Sequence, residues 1–165
     1  FCLAARGNRA HLAREAIRPE DVNVSVAPFA PQSELHKRLG AADIHLASLA
    51  ENWTGTIVPS KFFGSLAVGR PVLFAGSPQS EIARLIEEHD VGWVLTKSNG
   101  HEIGARLRSL AKRPRELRAM RERAFRLYHQ RFSCQTTVNA WDRHLRLLLA
   151  KPRLHDSTMQ PETPA

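Results

Sequence analysis

The residues best suited to chemistry lie together in Glu51-Asn-Trp-Thr-Gly-Thr-Ile-Val-Pro-Ser-Lys-Phe-Phe-Gly64, continuing as Ser-Leu-Ala-Val-Gly-Arg-Pro-Val72 and Leu-Phe-Ala-Gly76. Gly55 allows a backbone to approach a ligand closely. Thr56 and Ser60 supply hydroxyls, Pro59 or Ser60 opens a helix, and Lys61 falls in its first turn. A lone cation is unfavourable at the positive end of a helix dipole. It becomes favourable when an anion is shared between the ammonium and the free N–H groups of the helix start, a geometry that suits a pyrophosphate. The other reading of the same residues is a plain capped helix with a solvated lysine.

Such a loop must be carried by strands and helices, and the chain alternates short apolar segments with amphipathic ones as far as about residue 97. That βαβα pattern predicts an α/β fold, a parallel sheet covered by helices. Strands are expected at 1–5, at 22–27 (where Val22, Val24 and Val26 alternate), at 43–48, at 71–75 and at 92–96. Helices are expected over 8–17, after Pro31, from near Ser60, and from Ser77-Pro78, where Ser77 can cap and Pro78 can take the first helical position. Asn99 and Glu102 have the spacing of a capping box before a helix to about 111, Pro114 restarts a helix, and Ser133 caps another. In an open parallel sheet the ligand sits beyond the carboxyl ends of the strands, so the loops following strands are where a site is sought.

Two long C-terminal helices are expected to close the domain. Leu117, Met120, Ala124 and Leu127 form one apolar stripe, and Val138, Trp141, Leu145 and Leu148 form another; both are expected in the core. The organisation predicted is one domain over 1–150 and a disordered, proline-containing tail over 151–165. No apolar run reaches the length of a membrane-spanning helix. Cys2 and Cys134 stand far apart and form no C-x-x-C pair, which argues against a disulfide framework or zinc site and for a reduced, cytoplasmic compartment.

The net charge of +8 is unevenly spread: residues 106–153 hold 14 Lys and Arg but only 3 Asp and Glu. A basic surface of this kind attracts any polyanion, so a nucleic-acid-binding module and a membrane-surface module stand as alternatives to an enzyme. The basic helices carry no recognised nucleic-acid motif, and no specific nucleic-acid partner is expected. Peripheral contact with an anionic membrane face remains an expectation. Gly7-Asn-Arg-Ala is not the G-x-G-x-x-G turn of a nicotinamide-binding domain, and no G-x-x-x-x-G-K-[ST] phosphate loop occurs. The eight histidines are scattered, and no acidic pair has metal-binding spacing, so no metal or other cofactor is expected.

The run Pro59-Ser60-Lys61-Phe62-Phe63-Gly64-Ser65-Leu66-Ala67-Val68-Gly69-Arg70-Pro71-Val72 resembles the donor-site helix and following strand of GT-B glycosyltransferases of family 4. Pro28-Phe29-Ala30-Pro31, Ala41-Ala42-Asp43-Ile44-His45-Leu46, Ser77-Pro78-Gln79-Ser80-Glu81 and Val91-Gly92-Trp93-Val94 extend the resemblance over about residues 1–150. Among these enzymes the sequence is most similar to bacterial transferases of surface-polysaccharide assembly, those handling amino sugars for O-antigen and colanic acid.

The resemblance implies the C-terminal, Rossmann-like half of a two-domain enzyme, with an N-terminal acceptor-binding half outside this chain. It implies a nucleotide-diphosphate sugar donor, UDP by family frequency, and transfer with retention, without a metal, to a polysaccharide or lipid-linked acceptor. By itself this half is expected to be inactive and to hold no catalytic residue. Carried over by position, Gly7 lies in the loop after the first strand and Phe29 and Ala30 border the nucleobase. Thr56 to Ser60 (Ile57, Val58 and Pro59 between them) meet the diphosphate through backbone and hydroxyls, Gly55 and Lys61 beside them complete the donor-binding positions on their own chemistry, and Glu51 is the candidate for donor-sugar hydroxyls. One departure stands out: the second of the family's paired glutamates, which holds the ribose, would fall at Gly64.

Overall fold

The structure, a computed structural model, describes residues 1–4, 7, 8, 10–29 and 31–150. It divides into two compact units, Phe1–Asp43 and a second beginning at Ile44. Both are built on parallel strands flanked by helices, so the fold class is the Rossmann-like α/β arrangement expected.

In the first unit β1 (Cys2–Leu3) pairs in parallel with β2 (Ser25–Val26), Cys2 opposite Ser25 and Leu3 opposite Val26. Between them runs α1 (Ala10–Glu15), and after them a 3-10 turn (Gln32–Glu34) leads into α2 (Leu35–Ala41). β2 is shorter than the alternating valines suggest. The Arg18 amide donates to the Asp21 carboxylate at 3.0 Å, the Val24 amide donates to the Asp21 carbonyl at 3.0 Å, and this turn takes up the start of the expected strand. Val22 is 92% exposed as a result. The Arg18 guanidinium also bonds Asp21, holding its carboxyl below the usual carboxylate range.

The second unit contains a three-stranded sheet in the order β3 (His45–Ser48), β4 (Val72–Ala75), β5 (Gly92–Leu95), all parallel. Central β4 is an uninterrupted apolar run, as a strand covered on both faces must be, and Val72, Leu73 and Phe74 are buried. Against it pack α3 (Ser60–Ala67), with Phe62 and Leu66, and α4 (Glu81–His89), with Ile82 and Ile86, and Ala124 and Leu127 of α6 (Pro114–Leu127) join the same core by lying against those helices. Helix α3 stops where Gly69 takes a left-handed φ of 62°; the Arg70 amide then reaches the Ser65 carbonyl and the Gly69 amide the Leu66 carbonyl, both at 2.9 Å.

Two helix starts differ from expectation. Ser77 does not cap α4: its hydroxyl accepts from the Gln79 amide at 3.2 Å and its carbonyl from the Ser80 amide at 3.1 Å, forming a turn that contains Pro78. The helix begins three residues later, capped by Ser80, whose buried hydroxyl accepts from the Ala83 amide at 3.2 Å. Replacing Ser80 with alanine should therefore lower stability by about 1 kcal/mol, and Ser77→Ala by less. Urea midpoints of the two variants measure the difference, and equal losses would contradict the cap assignment.

Asn99 and Glu102 likewise form no capping box before α5 (Gly100–Leu110). The Asn99 amide is committed to the end of β5, accepting from the Thr96 amide at 2.8 Å and donating to the Val94 carbonyl at 2.9 Å. Glu102 pairs instead with Arg106, at 2.9 Å.

The two C-terminal stripes meet different fates. On α6, Met120, Ala124 and Leu127 are buried and Leu117 half-buried. A π-helical turn (Tyr128–Phe132) then leads to α7 (Cys134–Ala150), where the Ser133 hydroxyl accepts from the Thr136 amide as expected of a cap. No residue of α7 is buried. The expectation that both stripes form core therefore fails for Val138, Trp141, Leu145 and Leu148, because α7 departs from the sheet after the π-turn. The tail, 151–165, lies outside the described residues.

Candidate functional site

The parallel registers align the carboxyl ends of three strands, Ser48 opposite Ala75 and Ala75 opposite Leu95. Beyond this edge come the loop to α3, the turn to α4 and the short link to α5, so three helices present their N-termini there. Gly76 sits between the loops leaving β3 and β4. A Cβ on it would lie 2.6 Å from the Phe74 ring and 3.0 Å from the Leu49 carbonyl oxygen, so no larger residue fits without displacement.

The loop after β3 opens with a 3-10 turn (Glu51–Trp53), in which the Trp53 amide donates to the Ala50 carbonyl at 3.0 Å and the Thr54 amide to the Glu51 carbonyl at 3.1 Å. The Thr56 and Ile57 amides both donate to the Trp53 carbonyl, at 3.1 and 3.2 Å. That double turn is closed by Gly55 at a φ of 82°, a conformation costly for a residue with a side chain.

Helix α3 starts at Ser60, as its sequence suggests. Pro59 occupies the cap position and provides no side-chain hydrogen bond, and the Ser60 hydroxyl is not used as a cap. The Phe62 amide donates to the Pro59 carbonyl at 3.1 Å, which leaves the Ser60 and Lys61 amides as the first-turn N–H groups without an intrahelical acceptor and available to an external oxygen. Ser60 and Lys61 are exposed at this start, together with Glu51, Gly55, Thr56, Ile57 and Val58 earlier in the loop, while Pro59 is half-buried. Seven of these eight positions are exposed, in the segment that leads from the carboxyl end of β3 into α3. Gly7 and Phe29 belong to the first unit, where both are exposed, and Ala30 lies outside the described residues. Gly64 falls in the second turn of α3 and is half-buried.

What holds this helix start in place is a contact that sequence reasoning passed over. Buried Ser65 donates its hydroxyl proton to the Lys61 carbonyl at 2.8 Å and lies 2.7 Å from Nδ1 of His45 on β3. The hydroxyl has one proton, so the Nδ1 contact requires that His45 carry its proton on Nδ1 and donate it to Ser65. The pair pins the first turn of α3 to the neighbouring strand. Nothing in the spacing of residues 45 and 65 announces this; only the register of the sheet brings them together.

Thr54 is a second residue the sequence did not single out. Its hydroxyl oxygen is buried and has no hydrogen-bond partner among the described residues, an arrangement that costs about 1–3 kcal/mol unless an external group satisfies it. It immediately precedes Gly55. An open cleft of about 420 Å3 also lies along β5, lined by Glu87, Asp90 and Glu102 with Arg106, which is paired to Glu102, so acidic groups predominate there. Among the described residues no three His, Cys, Asp or Glu side chains come together to share a metal ion. No helix among them is long and apolar enough to cross a membrane.

With strands, loop and helix start in this order, comparison with known proteins is decisive. The model of the glycosyl transferase-like family matches residues 3–143, most of the chain. The chain belongs to the glycosyl transferase-like family. A glycosyl transferase-like relative, the probable glycosyltransferase WbjE of Pseudomonas aeruginosa, is 38% identical over 63 residues. That stretch is 38% of this chain and 16% of the relative, so the chain corresponds to a small part of the relative's length. In a glycosyl transferase-like domain the exposed 51–61 loop stands at the carboxyl edge where an open α/β sheet receives its ligand.

Proposed function

We propose that this chain forms the donor-binding half of a retaining glycosyltransferase of family 4, taking a nucleotide-diphosphate sugar, UDP-linked, for transfer to a polysaccharide or lipid-linked acceptor. The observation that carries this reading is the uncapped, proline-opened start of α3 at the carboxyl edge of β3, with Ser60 and Lys61 exposed on it, in a member of a glycosyl transferase-like family.

The chemistry follows from charge. As the anomeric carbon–oxygen bond breaks, negative charge accumulates on the leaving diphosphate. In this reading the free N–H groups of the α3 start, the Thr56 and Ser60 hydroxyls and the Lys61 ammonium are the groups assigned to stabilise it, and no metal ion is called for. Glu51, at the head of the loop, is assigned to the donor sugar hydroxyls. The amino-sugar specificity and the role in surface-polysaccharide assembly are part of the same proposal and rest on the resemblance of the 59–72 run.

Titrating the chain with UDP, GDP, ADP and their sugar conjugates in a thermal-shift experiment tests the reading. One nucleotide class should stabilise the fold, by about 2.7 kcal/mol when ligand is a hundredfold above its Kd. Lys61→Ala should weaken that nucleotide about tenfold to a hundredfold, the range expected for loss of one charge-assisted hydrogen bond, and leave the ligand-free melting temperature unchanged because Lys61 is exposed. A fold indifferent to every nucleotide would remove the proposal. An unweakened Lys61→Ala variant would move the diphosphate contacts away from α3.

A further inference from the structure

We infer that His45 and Ser65 are positioning residues for the diphosphate: they hold α3 in the rotation that presents the Ser60 and Lys61 amides and the Lys61 ammonium to it. The inference rests on the donor reading above. It adds two residues that lie outside the 51–61 loop and act through Lys61 rather than on the ligand.

Three residues of α3 are buried, Phe62, Ser65 and Leu66, and Ser65 is the polar one, 1% exposed. The other buried serines among the described residues, Ser77 and Ser80, are accounted for by the turn and the cap that open α4. Ser65 caps nothing. Inside a helix a serine can satisfy its own hydroxyl by donating to the carbonyl four residues back, as Ser65 does at Lys61, and alanine is the better helix former at such a place. The bond that local structure does not call for is the one from His45, 2.7 Å long and joining a strand to a helix.

That bond closes a ring of directional contacts. The His45 amide donates to the Pro71 carbonyl at 3.0 Å, which fixes the backbone under the imidazole just before β4. The Arg70 amide, one residue earlier, donates to the Ser65 carbonyl at 2.9 Å. The imidazole donates to the Ser65 hydroxyl, and the hydroxyl donates to the Lys61 carbonyl one turn nearer the helix start. Buried Phe62 and Leu66 hold α3 on the sheet, but apolar contact is non-directional and tolerates a small rotation about the helix axis. Hydrogen bonds weaken steeply with angle, so the ring sets that rotation. A bond from a first-turn amide to a phosphate oxygen has the same angular sensitivity, and a turned helix is therefore felt as lost affinity.

The test compares the full chain's affinity for the nucleoside diphosphate that stabilises it with its affinity for the corresponding nucleoside, both measured by competition. Ser65→Ala and His45→Phe should each weaken the diphosphate about threefold to tenfold, the scale of one hydrogen bond, and leave the nucleoside within about twofold. His45→Asn, whose side-chain amide places an N–H near the position of Nδ1, should restore most of the affinity. The double variant should lose no more than Ser65→Ala alone, because the shared bond is removed only once. Circular dichroism should show every variant folded; if Ser65→Ala is not, the two His45 variants carry the same comparison. Equal losses for nucleoside and diphosphate, undiminished diphosphate affinity in Ser65→Ala and His45→Phe, or a His45→Asn variant no better than His45→Phe overturns the inference and leaves the donor reading standing. A parent chain that binds no nucleotide removes both.

Discussion

Gly92→Ala is expected to destabilise the second unit by more than about 3 kcal/mol, beyond the usual cost of overpacking, because the obstruction is backbone. A Cβ at Gly92 would lie 1.9 Å from the carbonyl oxygen of Val72 and 2.8 Å from its nitrogen and carbonyl carbon. Val72 is the register partner of Gly92, and its amide donates to the Val91 carbonyl at 2.9 Å, so neither strand can move aside without breaking the ladder. Central β4 has helices packed on it and offers no slack. Gly100→Ala is the control: a Cβ there meets nothing within 4 Å, and alanine is the better helix former, so that variant should be neutral or slightly more stable. Urea denaturation of both variants measures the contrast. A Gly92→Ala midpoint equal to the parent's would mean that β4 and β5 are not paired in this register.

The second large effect is expected at Phe62. It is fully buried on α3, edge-on to Phe63 with ring centroids 5.4 Å apart, and Phe63 in turn meets Phe132 of the π-turn at 5.0 Å. Phe62→Ala removes a whole ring from a closed core, which costs about 3–5 kcal/mol. The loss has a functional side because Phe62 is the neighbour of Lys61: a cavity beneath the first turn of α3 lets the helix start shift, and geometry at that start is what a diphosphate would read. Nucleotide affinity should therefore fall in Phe62→Ala even under conditions where the variant is folded. Phe62→Leu, which refills most of the space, should recover most of both. Denaturant midpoints together with nucleotide titrations below the melting transition separate the two effects. A stability loss under about 1 kcal/mol would show that the ring is not enclosed as described.

The segment from Pro59 to Gly76 was legible because its signals are local. A proline followed by Ser-Lys and an apolar pair starts a helix, a glycine in the left-handed region ends it, and an unbroken apolar run before Gly76 marks a buried strand; α3 and β4 sit where these signals put them. The same kind of signal misled at Ser77 and Asn99. Each has the side chain of a cap, but hydroxyls and amides bond whatever backbone lies nearest, and the sheet delivered other partners: the Gln79 amide in one case and the end of β5 in the other. The His45–Ser65 contact and the buried hydroxyl of Thr54 carry no local signature.

Thus the sequence by itself determined the alternation of strand and helix, the parallel class of sheet, and the place of the Gly55-to-Lys61 loop at a strand's carboxyl end. These follow from periodicity and turn chemistry within a few residues. Only the tertiary structure decided which polar side chains cap and which tie strands to helices, and which apolar stripe is core. Periodicity shows that α6 and α7 each have an apolar face, but it is blind to what covers that face. α6 lies against α3, α4 and α5, whereas α7 follows the π-turn at residues 128–132 and has no buried residue among the described residues.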